Sequence, residues 1–564
     1  NLKQAECDFW IPFVNQSIYE STFAKNTRTS QPPNKGKTAL DEYVWAKDDH
    51  YSWSELEEHE IHGKGTLHFK KGWKGYTLNV TSQQWLTPED FSNTSSSGSI
   101  WYHILVVIVP DDVKYKNNAS IYITGWGQPN PDGSNLPTAD DEDIRTAAAM
   151  AVSTGIITGC LFQIPNEHTT FASDPIQKSR GEDAIIAFTW DHFLNNPQNT
   201  EWLLRFPMVK GSLRAMDAMS EFVSNKLPKL ETSLDYYVVA GASKRGWTTW
   251  DLGVVDPDRV VAIIPIVLDA INFVQVMHHQ YQSYDGWSWA LSDYLDMNIM
   301  SRIDDPNMLT IQKMVDPYFY RNRLTMPKLV VNAVADEFQQ PDDTRYWWDE
   351  MPGPKHFIMT PNAEHSEATG ILEIIPAISA WITDLLEDNI IPEFTWNISN
   401  ETGAITATLN EHGDVKEARV WYAYSCGNNP DGKKRRDFRI ANTDSPCECG
   451  IEAQGMCVNL KSFWTPKKLV EDKNADGMRT YTAQLDAPDD GRWVAFFIDI
   501  VYAKNKIDSL LPKIDILPGF IPRDLIQRLQ FTTEVSVWPN TFPYPGCGIQ
   551  DGVDTGIDCA GTIR

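Results

Sequence analysis

Residues 235–246, Asp-Tyr-Tyr-Val-Val-Ala-Gly-Ala-Ser-Lys-Arg-Gly, run an apolar strand straight into a Gly-x-Ser-x-x-Gly turn. Such a turn holds a serine exposed at the carboxyl end of a sheet, where a histidine can activate a hydroxyl that is otherwise a weak nucleophile. Gly241 and Gly246 leave room for the sharp turn and for a helix packed close behind it. Ser243 is therefore the expected nucleophile.

An α/β-hydrolase sheet then demands a chain order: an acid after a later strand and a histidine after the last one. The strand predicted at Lys328–Val334 leads into Ala335-Asp336-Glu337, and the strand at His356–Thr360 leads into Pro361-Asn362-Ala363-Glu364-His365-Ser366. Asp336 and His365 thus complete a triad with Ser243, and Asp336 is preferred over Glu337 and Asp342 because it comes first after its strand. Such a triad cleaves an ester or peptide bond through an acyl-enzyme and calls for no cofactor or metal. The oxyanion needs two donors: the backbone N–H of Lys244, and an N–H from the loop Thr124-Gly125-Trp126-Gly127, assigned to Trp126. The Lys244 and Arg245 side chains either bind an anionic group of the substrate or pair with acids of this acidic chain.

The surrounding pattern alternates strand and helix. Strands are expected at Gly65–Phe69, Tyr76–Val80, Trp101–Val109, Ser120–Thr124, Ile156–Phe162, Tyr236–Ala240 and Val260–Val267, with helices at Ile144–Ser153, Asp183–Leu194, Trp202–Leu227 and Gly370–Asp388. This implies a doubly wound, mostly parallel α/β sheet over residues 41–390, after an N-terminal arm at 1–40. Residues 271–326 are too long for one crossover and read as a helical cap insertion that shapes a pocket. His278 and His279 fall in it; neighbours on a helix face different ways, so packing is favoured over metal binding. Period-two strands at Ala404–Leu409, Ala418–Tyr424, Arg479–Leu485 and Trp493–Val501 indicate a small β-sandwich over 391–510, followed by a tail at 511–564 with a short amphipathic piece at Asp524–Gln530.

Charge and cysteines set the compartment. A net charge of -27 disfavours nucleic acid and anionic lipid as partners, and no apolar run is long enough to span a membrane. The basic run Lys433-Lys434-Arg435-Arg436 reads as a solvated loop. Asn15, Asn79, Asn93, Asn118, Asn397 and Asn400 each open an Asn-x-Ser/Thr acceptor for N-linked glycans. Eight cysteines, Cys7, Cys160, Cys426, Cys447, Cys449, Cys457, Cys547 and Cys559, suit disulfides better than zinc, since Cys447-x-Cys449 has poor zinc spacing; Cys7 and Cys160 are left to pair with each other. With Asn1 in place of an initiator methionine, these features lead us to expect a secreted, extracellular glycoprotein.

Leu40-Asp41-Glu42-Tyr43-Val44, Ser82-Gln83-Gln84-Trp85-Leu86, Ala242-Ser243-Lys244-Arg245-Gly246-Trp247, Pro361–Ser366 and Gly491-Arg492-Trp493-Val494-Ala495-Phe496-Phe497 resemble the PhoPQ-activated pathogenicity-related family. The resemblance implies an α/β-hydrolase-like domain with a C-terminal β domain. It also implies a rival role, because the family's autocrine proliferation repressor type resembles a secreted signal that would act on a cell-surface receptor. A third reading has the sandwich binding carbohydrate on an otherwise structural glycoprotein.

Overall fold

The computed structural model describes residues 37–63, 72–125, 135–410, 412–503, 529–550 and 552–564. Ten strands form one sheet: β1 Ser52–Glu55, β2 Ile61–Gly63, β3 Trp73–Gln84, β4 Ile100–Pro110, β5 Asn118–Ile123, β6 Ile157–Leu161, β7 Tyr236–Ala242, β8 Val260–Ile266, β9 Lys328–Ala333 and β10 Lys355–Thr360. Their order is β1-β3-β4-β6-β5-β7-β8-β9-β10, with β2 on β3. Strands β6 to β10 and β5 run parallel, whereas β3 and β4 form the antiparallel edge. The order reverses between β6 and β5, a crossing that parallel sheets with helices on both faces require.

The central strands are apolar throughout because both faces are covered. Along β7, Tyr237 and Val239 enter one core layer while Val238 and Ala240 enter the other. Helices Arg205–Lys226 and Lys244–Val255 pack in the first layer, and helix Ile371–Leu386 in the second. The strand expected at Gly65–Phe69 lies outside the described residues. Residues 271–326 fold as helices Phe273–Tyr284, Ser292–Asp296 and Pro306–Val315 joined by short turns.

Beyond helix Ile371–Leu386 the chain turns antiparallel. β11 Phe394–Ile398, β12 Ile405–Leu409 and β19 Arg479–Ala483 form one sheet with β18 Asp472–Lys473, and β13 Val415–Tyr424 pairs with β20 Val494–Tyr502 in another. Ala407, Leu409, Val420, Phe496 and Ile498 share one core between them. The chain end joins this body: β21 Gln530–Thr532 and β22 Ser536–Trp538 both pair with β20. Most of the amphipathic piece at 524–530 lies outside the described residues, and its last residue opens β21.

Disulfides join Cys426 to Cys449, Cys447 to Cys457 and Cys547 to Cys559. Cys160 carries a free thiol, contrary to the expected pairing: it sits fully buried in the middle of β6, and Cys7 lies outside the described residues. The basic run is a second correction. Lys433 is exposed, but Arg435 and Arg436 are each 1% exposed, drawn inside by Asp444 and Asp342.

Candidate active site

Ser243 stands between β7 and helix Lys244–Val255 with φ 58° and ψ -128°, a backbone region that costs a non-glycine residue of the order of 1–3 kcal/mol. Its N–H donates to the Ile266 carbonyl at 2.8 Å, which pins the turn to the next strand. Both flanking glycines are needed for this geometry. A Cβ at Gly241 would lie 2.7 Å from the Arg245 carbonyl oxygen, and one at Gly246 would lie 2.9 Å from the Ile266 oxygen.

The structure brings the three expected residues together. His365 Nε2 lies 2.8 Å from Ser243 Oγ, and His365 Nδ1 lies 2.7 Å from Asp336 Oδ2. Asp336 is itself fixed, its Oδ1 accepting the N–H groups of Phe338 at 2.7 Å and Gln339 at 3.2 Å. The Phe338 ring lies 4.4 Å from the imidazole. Burial disfavours a charged His365 ring, but the charge and hydrogen bond of Asp336 outweigh it, so its pKa is raised. The reserve acids are otherwise engaged. Glu337 accepts the His365 backbone N–H at 3.1 Å, with its carboxyl pushed up to about 7 by burial and by Asp336, and Asp342 receives the Arg436 guanidinium.

Of the two readings of Lys244 and Arg245, the structure shows pairing with acids of the chain. Lys244 Nζ lies 2.6 Å from Glu182 Oε2 and 2.8 Å from Asp183 Oδ2, while Arg245 binds Glu182 and the Ile164 carbonyl. Burial opposes ionisation of Glu182, but the two cations hold it down at about 2. A Cβ at Gly125 would meet the Arg245 guanidinium at 2.1 Å, so Arg245 props the loop after β5. Glu182 and Asp183 were missed from sequence; two acids opening a helix gave no sign that they face a turn 60 residues away. Of the oxyanion donors, the Lys244 N–H heads its helix without an intrahelical acceptor. Trp126 lies outside the described residues.

Two spaces meet at Ser243. On the cap side a narrow cavity of about 80 Å³ is lined mainly by apolar side chains, including Trp190, Phe273, Met277, Ile299 and Met300. On the opposite side an opening of about 310 Å³ is bounded by Tyr122, Thr124, Arg245 and His365. Arg205 crosses beneath, donating to the Lys244 carbonyl, with its guanidinium 4.7 Å from the Trp247 ring.

The histidines of the cap are internal. His279 bonds Asp343 Oδ1 at 2.6 Å, burial pushing its pKa down to about 3, and His278 bonds Asp304 at 2.9 Å. His278 lies 4.0 Å from the Cys547 sulfur, which is bonded to Cys559 and so offers no thiolate. Among the acceptor asparagines, Asn93, Asn397 and Asn400 are exposed. Asn79 and Asn118 are half-buried in strands with Oδ1 enclosed, a poor surface for a bulky glycan, and Asn15 lies outside the described residues.

Residues 40–439 match the model of the PhoPQ-activated pathogenicity-related protein family. Autocrine proliferation repressor protein A of Dictyostelium discoideum is 33% identical over 519 residues, 90% of this chain and 92% of that protein. Among solved structures, acetyl xylan esterase 1 of Thermoanaerobacterium sp. matches with a TM-score of 0.37 and 13% identity, covering 65% of this chain and 98% of that one. Est1E of Butyrivibrio proteoclasticus matches with a TM-score of 0.31 and 12% identity, covering 51% and 95%.

Proposed function

The chain belongs to the PhoPQ-activated pathogenicity-related protein family, and from that premise we propose that it is a secreted serine hydrolase. One observation carries the reading: the unbroken hydrogen-bond path from Ser243 Oγ through His365 to Asp336. In this reaction Ser243 Oγ attacks the carbonyl carbon of an ester or peptide bond while His365 Nε2 takes its proton. The negative oxygen of the tetrahedral intermediate faces the Lys244 N–H. His365 then protonates the leaving group, and a water activated by the same ring hydrolyses the acyl-enzyme. Asp336 keeps the proton of the neutral ring on Nδ1 and stabilises the imidazolium.

The narrow apolar space beneath the cap suits a short acyl group, and the wider opening past Thr124 suits the leaving group. Hydrolysis of p-nitrophenyl acetate, butyrate and octanoate tests this: wild-type protein should prefer the shorter esters and Ser243→Ala should be inactive. Equal turnover by Ser243→Ala would refute it.

A second reading rests on the 33% identity to a proliferation repressor: the chain is a secreted signal that binds a receptor. Growth of cells exposed to wild-type and Ser243→Ala protein separates the two. Equal repression by both forms assigns the signal to binding rather than to chemistry.

A further inference from the structure

A cleft of about 520 Å³ lies between the loop before β10 and the edge strands β11 and β22, and none of Ser243, Asp336 and His365 lines it. Its volume is that of a small-molecule site. A second space of about 310 Å³ shares Lys355, Phe394, Thr395 and Trp396 with it, so the two border one continuous stretch of β11.

The walls combine flat rings with planar polar groups. Trp396 and Trp538 are half-buried and both line the cleft, and the Phe394 and Trp348 rings each lie 5.7 Å from Trp396. Trp396 Nε1 donates to Glu534 Oε2 at 2.9 Å, which fixes both groups in the wall. Arg345 donates to Asn540 Oδ1 at 3.1 Å and leaves the Asn540 amide nitrogen as a donor. Charge in the cleft is matched: Asp342 takes Arg436 and, at 3.4 Å, Arg345, while Lys355 stands in the field of Asp349 and Glu534. A balanced site of this kind favours a neutral ligand rich in hydroxyls over an anion or a cation.

We propose that this cleft binds a saccharide. A pyranose has a face of C–H groups that stacks on an aromatic ring, and a rim of hydroxyls that both donate and accept toward carboxylate, amide and guanidinium. Two sources supply that chemistry. Asn397 and Asn400, each opening an Asn-x-Ser/Thr acceptor and both exposed, line the cleft, so a glycan carried on either would lie within reach; a free glycan is the other source.

Saturation-transfer NMR on the full chain made as a glycoprotein tests the assignment, with N,N′-diacetylchitobiose and cellobiose as probes, before and after enzymatic removal of the N-glycans. Transfer to a sugar is expected in at least one form, with binding about tenfold weaker in Trp538→Ala. Transfer only after glycan removal identifies the chain's own glycan as the occupant; transfer in both forms identifies a free glycan. Should Trp538→Ala fail to melt cooperatively, the exposed pair Arg345→Ala and Asn540→Ala serves in its place. No transfer in either form, or transfer unchanged by the substitutions in folded protein, overturns the proposal.

Discussion

The loop from Val334 to Asp343 faces two polar clusters that use charge in opposite ways. At one end, Asp336 meets His365, whose other nitrogen meets a hydroxyl beside an open cavity. At the other end, Asp342 takes the Arg436 guanidinium and Asp343 takes His279, and nearby Arg435 pairs with Asp444 and Arg439 with Asp437. Arg435, Arg436 and Arg439 are at most 2% exposed. The first cluster leaves one mobile proton next to space for a substrate. The second matches its charges in the interior and ties the C-terminal body to the ten-stranded sheet. Strong electrostatics therefore does not by itself mark a reactive site; an unblocked nucleophile at a cavity does.

Substitutions should separate the two ends. Ser243→Ala should lower kcat by about 10⁶-fold with no change in melting temperature, since the nucleophile is removed without disturbing the fold. Asp336→Asn should lower kcat by about 10⁴-fold by favouring the wrong imidazole tautomer, again with the fold intact. At the other end the ranking inverts. Arg436→Leu should destabilise the protein by about 3 kcal/mol by taking the bidentate partner from the buried Asp342 carboxylate and leaving it only the more distant Arg345 and His279, as read by urea unfolding. Adding Asp342→Leu should restore much of that loss; if the double variant is no more stable than the single one, the pair is not what joins the two bodies.

The smallest effect is in pH. His365 acts as base only when neutral, and Asp336 raises its pKa above the ordinary value near 6.5 despite burial. Activity should thus fall about tenfold per pH unit on the acid side, with the midpoint of that limb above about 6.5. A midpoint below that value in the wild-type pH profile of kcat/KM would show that Asp336 does not govern the ring.

The two clusters also differed in how far they could be read from sequence. Ser243, Asp336 and His365 were legible because each follows a strand and the sheet's connectivity fixes their order, so local pattern and topology pointed the same way. The central strands were legible from their apolar runs, with ends displaced by at most four residues, the largest at the carboxyl end of β3. Arg436 was misread as solvated because its partner Asp342 lies 94 residues away in the chain, and nothing local announces that pairing. Pairing of Lys244 with acids was one of the sequence's two readings, but which acids, Glu182 and Asp183, was hidden for the same reason. Cys160 was assigned a partner by parity alone, an argument blind to its place inside β6.

The most direct test of Ser243 as nucleophile is covalent labelling of the intact protein with a fluorophosphonate, followed by mass spectrometry of the peptide containing residues 235–246. One phosphonyl adduct on Ser243, lost in Ser243→Ala and slowed in Asp336→Asn, is the expected result. Folded protein that stays unlabelled, or that carries its adduct on another residue, would contradict it.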